Sequence, residues 1–344
     1  MHTIFDGHND VLLRLYRRDR TGRSFLGEGT EGHIDLGRAQ RGGLRGGIFA
    51  TFVPDPGHSR TTGEGNAVGA ADIAGQRHER ALTMTMSQLA IAFRIARASA
   101  GAVAICKSRA EIDRAFADRA FAMVLHLEGA EAIGRDLDEL DVLYAAGVRS
   151  LGIVWSRPTI FGEGVPFRFP SSPDIGGGLT ERGVALVKAC NQLGIMVDVS
   201  HLNEKGFWDV ARYSTAPLVA THSNAHAVCP VSRNLTDAQM DAIRDTGGVV
   251  GLNFATFFLR PDGRRAADTP LEVMVRHLDH MLNKLGPDGV ALGSDFDGAL
   301  VPAGIGDAAG LPNLVAAMKV AGYGDDLIAN ITHRNWLSVL GRSI

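Results

Sequence analysis

The 344-residue sequence predicts an α/β fold, a (β/α)8 TIM barrel that forms a single domain over residues 1–344. Three observations predict it. Eight short apolar runs recur along the chain, amphipathic helical patterns separate them, and polar residues follow the runs at equivalent points. Eight strands that alternate with helices favour a closed barrel, although the strand count alone leaves an open doubly wound sheet as an alternative.

The eight candidate strands are rich in apolar and β-branched residues, and polar residues or glycines end them. Several are apolar on both faces, as expected for parallel strands that helices cover. In chain order they span residues 3–6, 46–53, 121–128, 149–155, 195–201, 217–223, 247–254 and 289–296.

Helical periodicity marks the segments between several of these strands. Residues 179–194 and 271–286 carry apolar side chains at helical spacing, and each segment ends at a glycine. Residues 235–247 have Thr236 as a candidate N-cap. The pattern of residues 325–340 predicts a final amphipathic helix.

Two long segments interrupt the alternation of strands and helices. Residues 54–80 are polar and glycine-rich, and residues 156–178 are rich in proline and glycine. Long loops in compact domains are usually functional or disordered. We expect both segments to lie over the mouth of the barrel.

The composition excludes several classes of function. Lys and Arg total 35 against 38 Asp and Glu, a formal net charge of −3, so there is no basic surface typical of nucleic-acid binding. The first residues lack the pattern of a secretory signal, and no apolar run is long enough to span a bilayer. Cys106, Cys190 and Cys229 are widely spaced and form no CxxC motif. We therefore expect reduced thiols in a cytoplasmic protein without a membrane anchor.

Residues of the types that commonly bind metal ions follow five of the predicted strands. The carboxyl ends of all strands in a barrel open on one face, where such folds place their active sites. Each residue taken alone is more simply explained as a buried, hydrogen-bonded polar group, but their shared position favours one site. They are His8 and Asp10, Glu128, His201, His222 and Asp295.

Three imidazoles and two carboxylates exceed the ligand count of one tetrahedral zinc that keeps an open position. They suit two ions, with His8 and Asp10 on one, His201 and His222 on the other, and Glu128 as the bridge. A water between two such cations is acidified toward hydroxide, and the cations polarise a carbonyl. Asp295, outside this ligand set, is placed to transfer a proton. This chemistry predicts hydrolysis of an amide or ester.

Arg233 follows His222 by eleven residues, in the loop that leaves the sixth predicted strand. Its guanidinium there can bind a substrate carboxylate at two points. A surface arginine or a helix contact is an equally good interpretation of the sequence. His277 and His280 are expected on the solvated surface of a helix.

Five motifs, in the order DGHND, HLEGA, DVSH, THSNAHAVCPVSRN and GSDFDG, resemble the membrane dipeptidase (renal dipeptidase) family of zinc metallopeptidases, which are amidohydrolase-like barrels. The resemblance runs from residue 5 to the C-terminal helix. It implies a barrel, a homodimer, and two Zn²⁺ ions that cleave dipeptides, in some relatives with a D-residue on the C-terminal side. By resemblance, His8, Asp10 and Glu128 bind one ion and Glu128, His201 and His222 the other. Arg233 then binds the substrate carboxylate, and Asp295 contacts the bridging water.

The chain departs from the family pattern at Trp155, which stands where the family has a substrate-binding histidine. A tryptophan donates one hydrogen bond but carries no positive charge. Loss of a transition-state donor typically costs about a hundredfold in rate. Arg157 and His126 are the nearest groups that could substitute. We expect instead that Trp155 forms part of the substrate-pocket wall and that neither neighbour is catalytic.

Three functions follow from these observations. The leading one is a binuclear zinc dipeptidase that uses a metal-bridging hydroxide. An alternative is a metal-dependent deacylase of N-acyl amino acids, which the Trp155 departure suggests. A barrel that binds metal or peptide without catalysis is less favoured, because it has no use for Asp295. Zinc suits these ligands, but manganese or cobalt would also be accepted.

Overall fold

The computed structural model describes residues 2–27, 31–54 and 73–344, the first five residues of the last range as helical backbone only. Residues 55–72 of the predicted loop 54–80 therefore lie outside the described residues, and residues 73–80 belong to a helix instead of a loop. The 156–178 segment is described.

The described residues form one parallel sheet whose strands follow chain order around a barrel. The order is β1-β2-β4-β5-β6-β7-β8-β9, and β3 pairs only with β4. The strands are β1 (Ile4–Asn9), β2 (Leu44–Phe52), β3 (Val103–Ile105), β4 (Phe121–Glu128), β5 (Val148–Gly152), β6 (Met196–Asp198), β7 (Val219–Ala220), β8 (Val249–Leu252) and β9 (Val290–Leu292).

Hydrogen bonds beyond the end of β9 bring the last strand beside the first. The Asp10 amide donates to the Phe296 carbonyl at 2.8 Å, and the Asp295 amide donates to the His8 carbonyl at 3.0 Å. Asn9 and Phe296 form an isolated parallel bridge. The (β/α)8 prediction is confirmed, and each of the eight predicted strands overlaps an observed one. Strand β3 was not predicted, because its three residues are too few to show a periodicity.

Helices follow most strands, and the predicted caps form. As predicted, Thr236 caps α9, in a capping box with Gln239, and Gly194 ends α7 in a left-handed conformation. The N-cap of α7 is Thr180, which had not been predicted. The helices are α1 (Val11–Arg18), α2 (Arg23–Leu26), α3 (Leu36–Gly42), α4 (Ile73–Ala98), α5 (Arg109–Ala117), α6 (Asp138–Ala146), α7 (Glu181–Leu193), α8 (Glu204–Tyr213), α9 (Asp237–Asp245), α10 (Thr256–Leu259), α11 (Leu271–Leu285), α12 (Leu311–Val320), α13 (Asp325–Ala329) and α14 (Asn335–Ser343). Within the described ranges, no helix is both long enough and apolar enough to cross a membrane.

The C-terminal segment is not the single helix predicted. A π-helical turn at Asn330–Arg334 separates α13 from α14. Directly after this turn, the Trp336 indole is fully buried and donates to the Leu292 carbonyl at 2.8 Å. Trp336 joins a buried cluster with residues near the amino ends of several strands, including Phe5. The C-terminal helix therefore packs at the end of the barrel opposite the carboxyl ends of the strands.

Trp336→Ala should lower the free energy of unfolding by about 3–5 kcal/mol, because it leaves a large cavity beneath the barrel. Urea unfolding measures the change. The matched control is Trp208→Ala on α8, since Trp208 is 39% exposed and should change stability far less. Equal losses for the two variants would contradict a packing role for Trp336.

Candidate metal centre

The structure brings the five predicted ligands together at the carboxyl end of the barrel, and all five are buried. His8 lies in β1, Asp10 follows that strand, and Glu128 is the last residue of β4. His201 and His222 lie three and two residues beyond the ends of β6 and β7. The short strands end before these residues, so loop backbone directs the two histidines.

Glu128 lies between two groups of imidazoles. Its Oε2 is 3.7 Å from Nε2 of His8, and its Oε1 is 3.2 Å from Nε2 of His201 and 3.9 Å from Nε2 of His222. Ligand atoms of His8, Asp10 and Asp295 also lie within 4.8 Å of one another. Each carboxylate oxygen of Glu128 therefore faces a different part of the cluster.

The polar atoms of the cluster fit divalent cations. Both ring nitrogens of His8 and Oε2 of Glu128 are buried and have no hydrogen-bond partner in the described part of the chain. Such atoms normally cost free energy unless a partner is supplied. The Nε2 atoms of His201 and His222 are only 3.0 Å apart. Two nitrogens bound tetrahedrally to one zinc at about 2.0–2.1 Å are roughly 3.4 Å apart, so this spacing suits a shared ion.

The charges in the cluster also favour cation binding. Burial lowers the pKa of His201 to about 3 and that of His222 well below its usual value, so both rings are neutral. Burial opposes ionisation of Glu128, but His8 and His201 outweigh it and hold its pKa well below the usual range. For His8, burial is outweighed by Glu128 and Asp10, and its pKa rises to about 9. The carboxylates thus create a site that favours a positive charge.

Two of the predicted site residues have left-handed backbone conformations, His201 with φ 68° and Asp295 with φ 57°. This region is unfavourable for residues other than glycine. Strained backbones of this kind concentrate at functional sites, where the surrounding structure holds them. Here the strained turns follow β6 and β9 and place the two side chains at the centre.

Asn253 is a polar residue of the site that the sequence analysis missed. Its Nδ2 donates to Oδ2 of Asp295 at 3.1 Å and contacts the His222 carbonyl at 3.4 Å. Asn253 directly follows β8. The sequence did contain a signal for it, because a polar residue directly follows the apolar run GGVVGL, as at the other strands that carry site residues.

Arg233 is buried beside the cluster, which excludes the surface position considered above. Its Nη1 donates to Ser223 Oγ at 2.6 Å and its Nη2 donates to the His222 carbonyl at 2.8 Å. Burial lowers its pKa only to about 10, so the guanidinium is charged at neutral pH. Both hydrogen bonds go to neutral oxygens, which fix the side chain without neutralising it.

An aromatic wall, formed by Phe52, Trp155, Phe167 and Phe258, flanks His201. The Trp155 ring centroid lies 5.2 Å from that of Phe52, 5.5 Å from that of Phe167 and 5.8 Å from that of His201. Phe167 also packs edge-on against Phe258 at 5.3 Å. Trp155 is thus placed as a wall residue beside the candidate ligands.

The two groups weighed as substitutes for the family histidine are engaged elsewhere. Arg157 Nε donates to Glu131 Oε1 at 2.7 Å, and its guanidinium stacks 5.4 Å from the rings of Phe52 and Trp155. His126 is fully buried within the barrel, with Nδ1 2.8 Å from Ser150 Oγ.

The 156–178 segment packs against the same region. Val165 N donates to the His201 carbonyl at 2.8 Å, and Ser171 N donates to the Pro230 carbonyl at 2.9 Å. Phe167, from the middle of this segment, belongs to the aromatic wall. The segment therefore contributes both backbone and side-chain contacts to the surroundings of His201.

The prediction for His277 was wrong. This residue is fully buried, accepts a hydrogen bond from Ala225 N at 3.2 Å, and contacts the Leu259 carbonyl through Nε2 at 2.9 Å. The face of α11 that carries it packs against the loop after β7 and the end of α10. His280 is partly exposed and contacts Asp237 at 2.7 Å.

Comparison with known proteins identifies the family of the chain. Residues 1–343 match the model of the family described as membrane dipeptidase (peptidase family M19). A metallo peptidase of Rhodobacter sphaeroides, solved with a phosphinate mimic of the dipeptide L-Ala-D-Ala, is 49% identical and superposes with a TM-score of 0.93 over 100% of this chain and 99% of that one. Dipeptidase AC, a metallo peptidase of family M19, is 51% identical, with a TM-score of 0.93 and coverage of 99% and 98%.

A more distant relative, dipeptidase tcpJ of Claviceps purpurea, is 27% identical over 341 residues, which are 97% of this chain and 76% of that protein. The family match spans nearly the whole chain, and the cluster at the barrel mouth has the chemistry of a metallopeptidase. The chain therefore belongs to the membrane dipeptidase family, peptidase family M19, and is a metal-dependent dipeptidase.

Proposed function

We propose that the protein hydrolyses the peptide bond of small dipeptides with two zinc ions. His8, Asp10 and Glu128 would bind one ion, and Glu128, His201 and His222 the other. The observation that carries this proposal is the position of Glu128, which presents one oxygen to His8 and the other to the His201–His222 pair. A carboxylate placed in this way is suited to bridge two cations.

When bound, the ions supply a water acidified toward hydroxide and polarise the scissile carbonyl. The remaining roles belong to side chains of this chain. Arg233, fixed by Ser223 and the His222 carbonyl, would bind the C-terminal carboxylate of the dipeptide. Asp295 would take a proton from the water and deliver it to the leaving amine, with Asn253 orienting the carboxylate. Trp155 would line the substrate pocket and exclude water.

The substrate includes, in our proposal, dipeptides with a D-residue on the C-terminal side. The Rhodobacter sphaeroides relative was solved with a mimic of L-Ala-D-Ala, and it aligns with this chain over its whole length. This likeness supports small side chains in both positions.

A deacylase of N-acyl amino acids is the second candidate, and Trp155 favours it. The aromatic wall offers apolar surface where the family pattern has a histidine, and an acyl chain could pack there. A panel of L,L- and L,D-dipeptides beside N-acyl amino acids separates the two. Faster turnover of the acyl substrates would favour the second. A fully zinc-loaded protein that cleaves neither group would instead support a non-catalytic barrel.

The location and assembly of the protein stay predictions. All three cysteines are buried and unpaired, which suits the proposed cytoplasmic location. A homodimer is proposed from the family resemblance alone.

Glu128→Gln should reduce bound zinc from two ions per chain and lower dipeptide turnover by at least about a hundredfold, because the amide nitrogen is not a ligand and the bridge is lost. Elemental analysis after dialysis, together with initial rates, measures both effects. Glu272→Gln, an exposed residue on α11, is the matched control and should behave as the wild type. Two firmly bound ions and normal rates in Glu128→Gln would refute the bridge.

Arg233→Met should lower kcat/KM for dipeptides by about 10- to 100-fold, the amount expected for one charge-assisted contact. The loss should appear with a free C-terminal carboxylate and be much smaller with C-terminally amidated dipeptides. Steady-state kinetics on both substrate types in wild type and variant measures the coupling. If amidated and free dipeptides lost the same factor, Arg233 would have no carboxylate-binding role.

A further inference from the structure

We propose that Asp198 and Thr221 are positioning residues which hold His222 in the ring tautomer whose Nε2 is unprotonated and can bind a metal. This inference rests on the proposed metal centre, because it concerns how one of its ligands is prepared. Neither residue has a metal-binding or catalytic role in the proposal above. Both lie shortly before a candidate ligand, Asp198 three residues before His201 and Thr221 one residue before His222.

Asp198 is a buried carboxylate at the end of β6 that accepts three hydrogen bonds. Its Oδ1 accepts from the backbone amides of Ser200 and Thr221, both at 2.9 Å. Its Oδ2 accepts from the Thr221 hydroxyl at 2.5 Å. Opposing its burial, His126 and these donors hold the pKa of Asp198 below its usual value. An ionised carboxylate can only accept hydrogen bonds, so the direction of all three is fixed.

The direction of the Thr221 bond determines the proton position on His222. The Thr221 hydroxyl has one proton, and it donates that proton in its hydrogen bond to Asp198. Thr221 Oγ1 also lies 2.8 Å from Nδ1 of His222, so in that contact the oxygen must accept. The proton of the neutral imidazole is therefore on Nδ1, and Nε2 keeps its lone pair.

That lone pair is directed at the candidate metal position. Nε2 of His222 lies 3.0 Å from Nε2 of His201 and 3.9 Å from Oε1 of Glu128. The opposite tautomer would place a proton there and block coordination. Among the described residues, nothing fixes the tautomer of His201 in this way. Its Nδ1 lies 2.8 Å from the Ser156 hydroxyl, and that hydroxyl is not hydrogen-bonded to a carboxylate.

Asp198→Asn reverses this chain of hydrogen bonds with almost no change of shape. The amide oxygen must stay with the two backbone amides, so the amide nitrogen faces Thr221 Oγ1 and donates to it. The Thr221 hydroxyl then donates its hydrogen bond to Nδ1 of His222. Nδ1 must therefore be unprotonated, so the ring proton is on Nε2. Zinc affinity at the His201–His222 position should fall by about 10- to 100-fold, as for other residues that orient metal ligands.

The double variant Asp198→Asn/Thr221→Val separates this mechanism from simple destabilisation. Valine removes the hydroxyl, so nothing forces the wrong tautomer on His222. The double variant should bind zinc more tightly than Asp198→Asn alone, although more weakly than the wild type. Thr221→Ser keeps the hydroxyl and should stay close to the wild type.

Thr51→Val serves as the matched control. The Thr51 hydroxyl in β2 is also buried but donates to the His126 carbonyl, and it contacts no imidazole nitrogen of the residues that the structure describes. Its loss should leave zinc affinity unchanged.

The direct measurement is ¹⁵N NMR of metal-free protein labelled in the histidine rings, with the His222 signal assigned by its loss in His222→Asn. We expect the proton on Nδ1 in the wild type and on Nε2 in Asp198→Asn, and calorimetric zinc titrations that follow the order given above. An unchanged tautomer in Asp198→Asn, or a double variant that binds no better than the single one, would overturn the inference. The expected tautomers in a wild type that binds fewer than two zinc ions would support the hydrogen-bond chain and contradict the metal centre.

Discussion

The site depends on one carboxylate that faces imidazoles on two sides within a closed barrel. Glu128 is buried at the end of β4, and its ionisation is unfavourable there unless positive charge is near. The neighbouring carboxylates raise the pKa of His8 to about 9, so the barrel mouth supplies part of that charge itself. Divalent cations would supply it more completely, which explains why so many buried polar atoms converge on one region.

The barrel makes this convergence possible because its eight strand ends share a face. Hydrogen bonds between Asp10 and Phe296 and between Asp295 and His8 join the first and last strands. They bring residues nearly 300 positions apart into one cluster. At the opposite end, Trp336 packs against the amino-terminal part of the barrel and leaves the carboxyl end for chemistry. The amino ends of the strands thus pack against the C-terminal helix, and the carboxyl ends of the same strands carry the candidate site.

Much of this arrangement could be predicted from the sequence, because the informative residues are local. The apolar runs and the polar residue after each one predicted eight strands and all five candidate ligands. The cap at Thr236 follows from residue type alone. The short β3 carries no periodicity, and the π-helical turn before α14 arises from packing that no local pattern encodes.

Other parts of the site depend on contacts between distant residues, and these could not be predicted. Burial of Arg233 follows from its bonds to Ser223 and the His222 carbonyl. His277 is buried because α11 packs against another loop, although its helix position suggested a solvated surface. The bond from Asn253 to Asp295 and the chain from Asp198 through Thr221 to His222 join separate strands. Hydrogen-bond direction, which sets the tautomer of a ligand, becomes visible only when donors and acceptors are placed in space.

Anomalous X-ray diffraction at the zinc edge from crystals of the zinc-loaded protein tests the central claim most directly. We predict two zinc peaks at the barrel mouth, each within coordination distance of a different oxygen of Glu128. A single peak, or two peaks of which one lies beyond the reach of Glu128, would contradict the bridged centre.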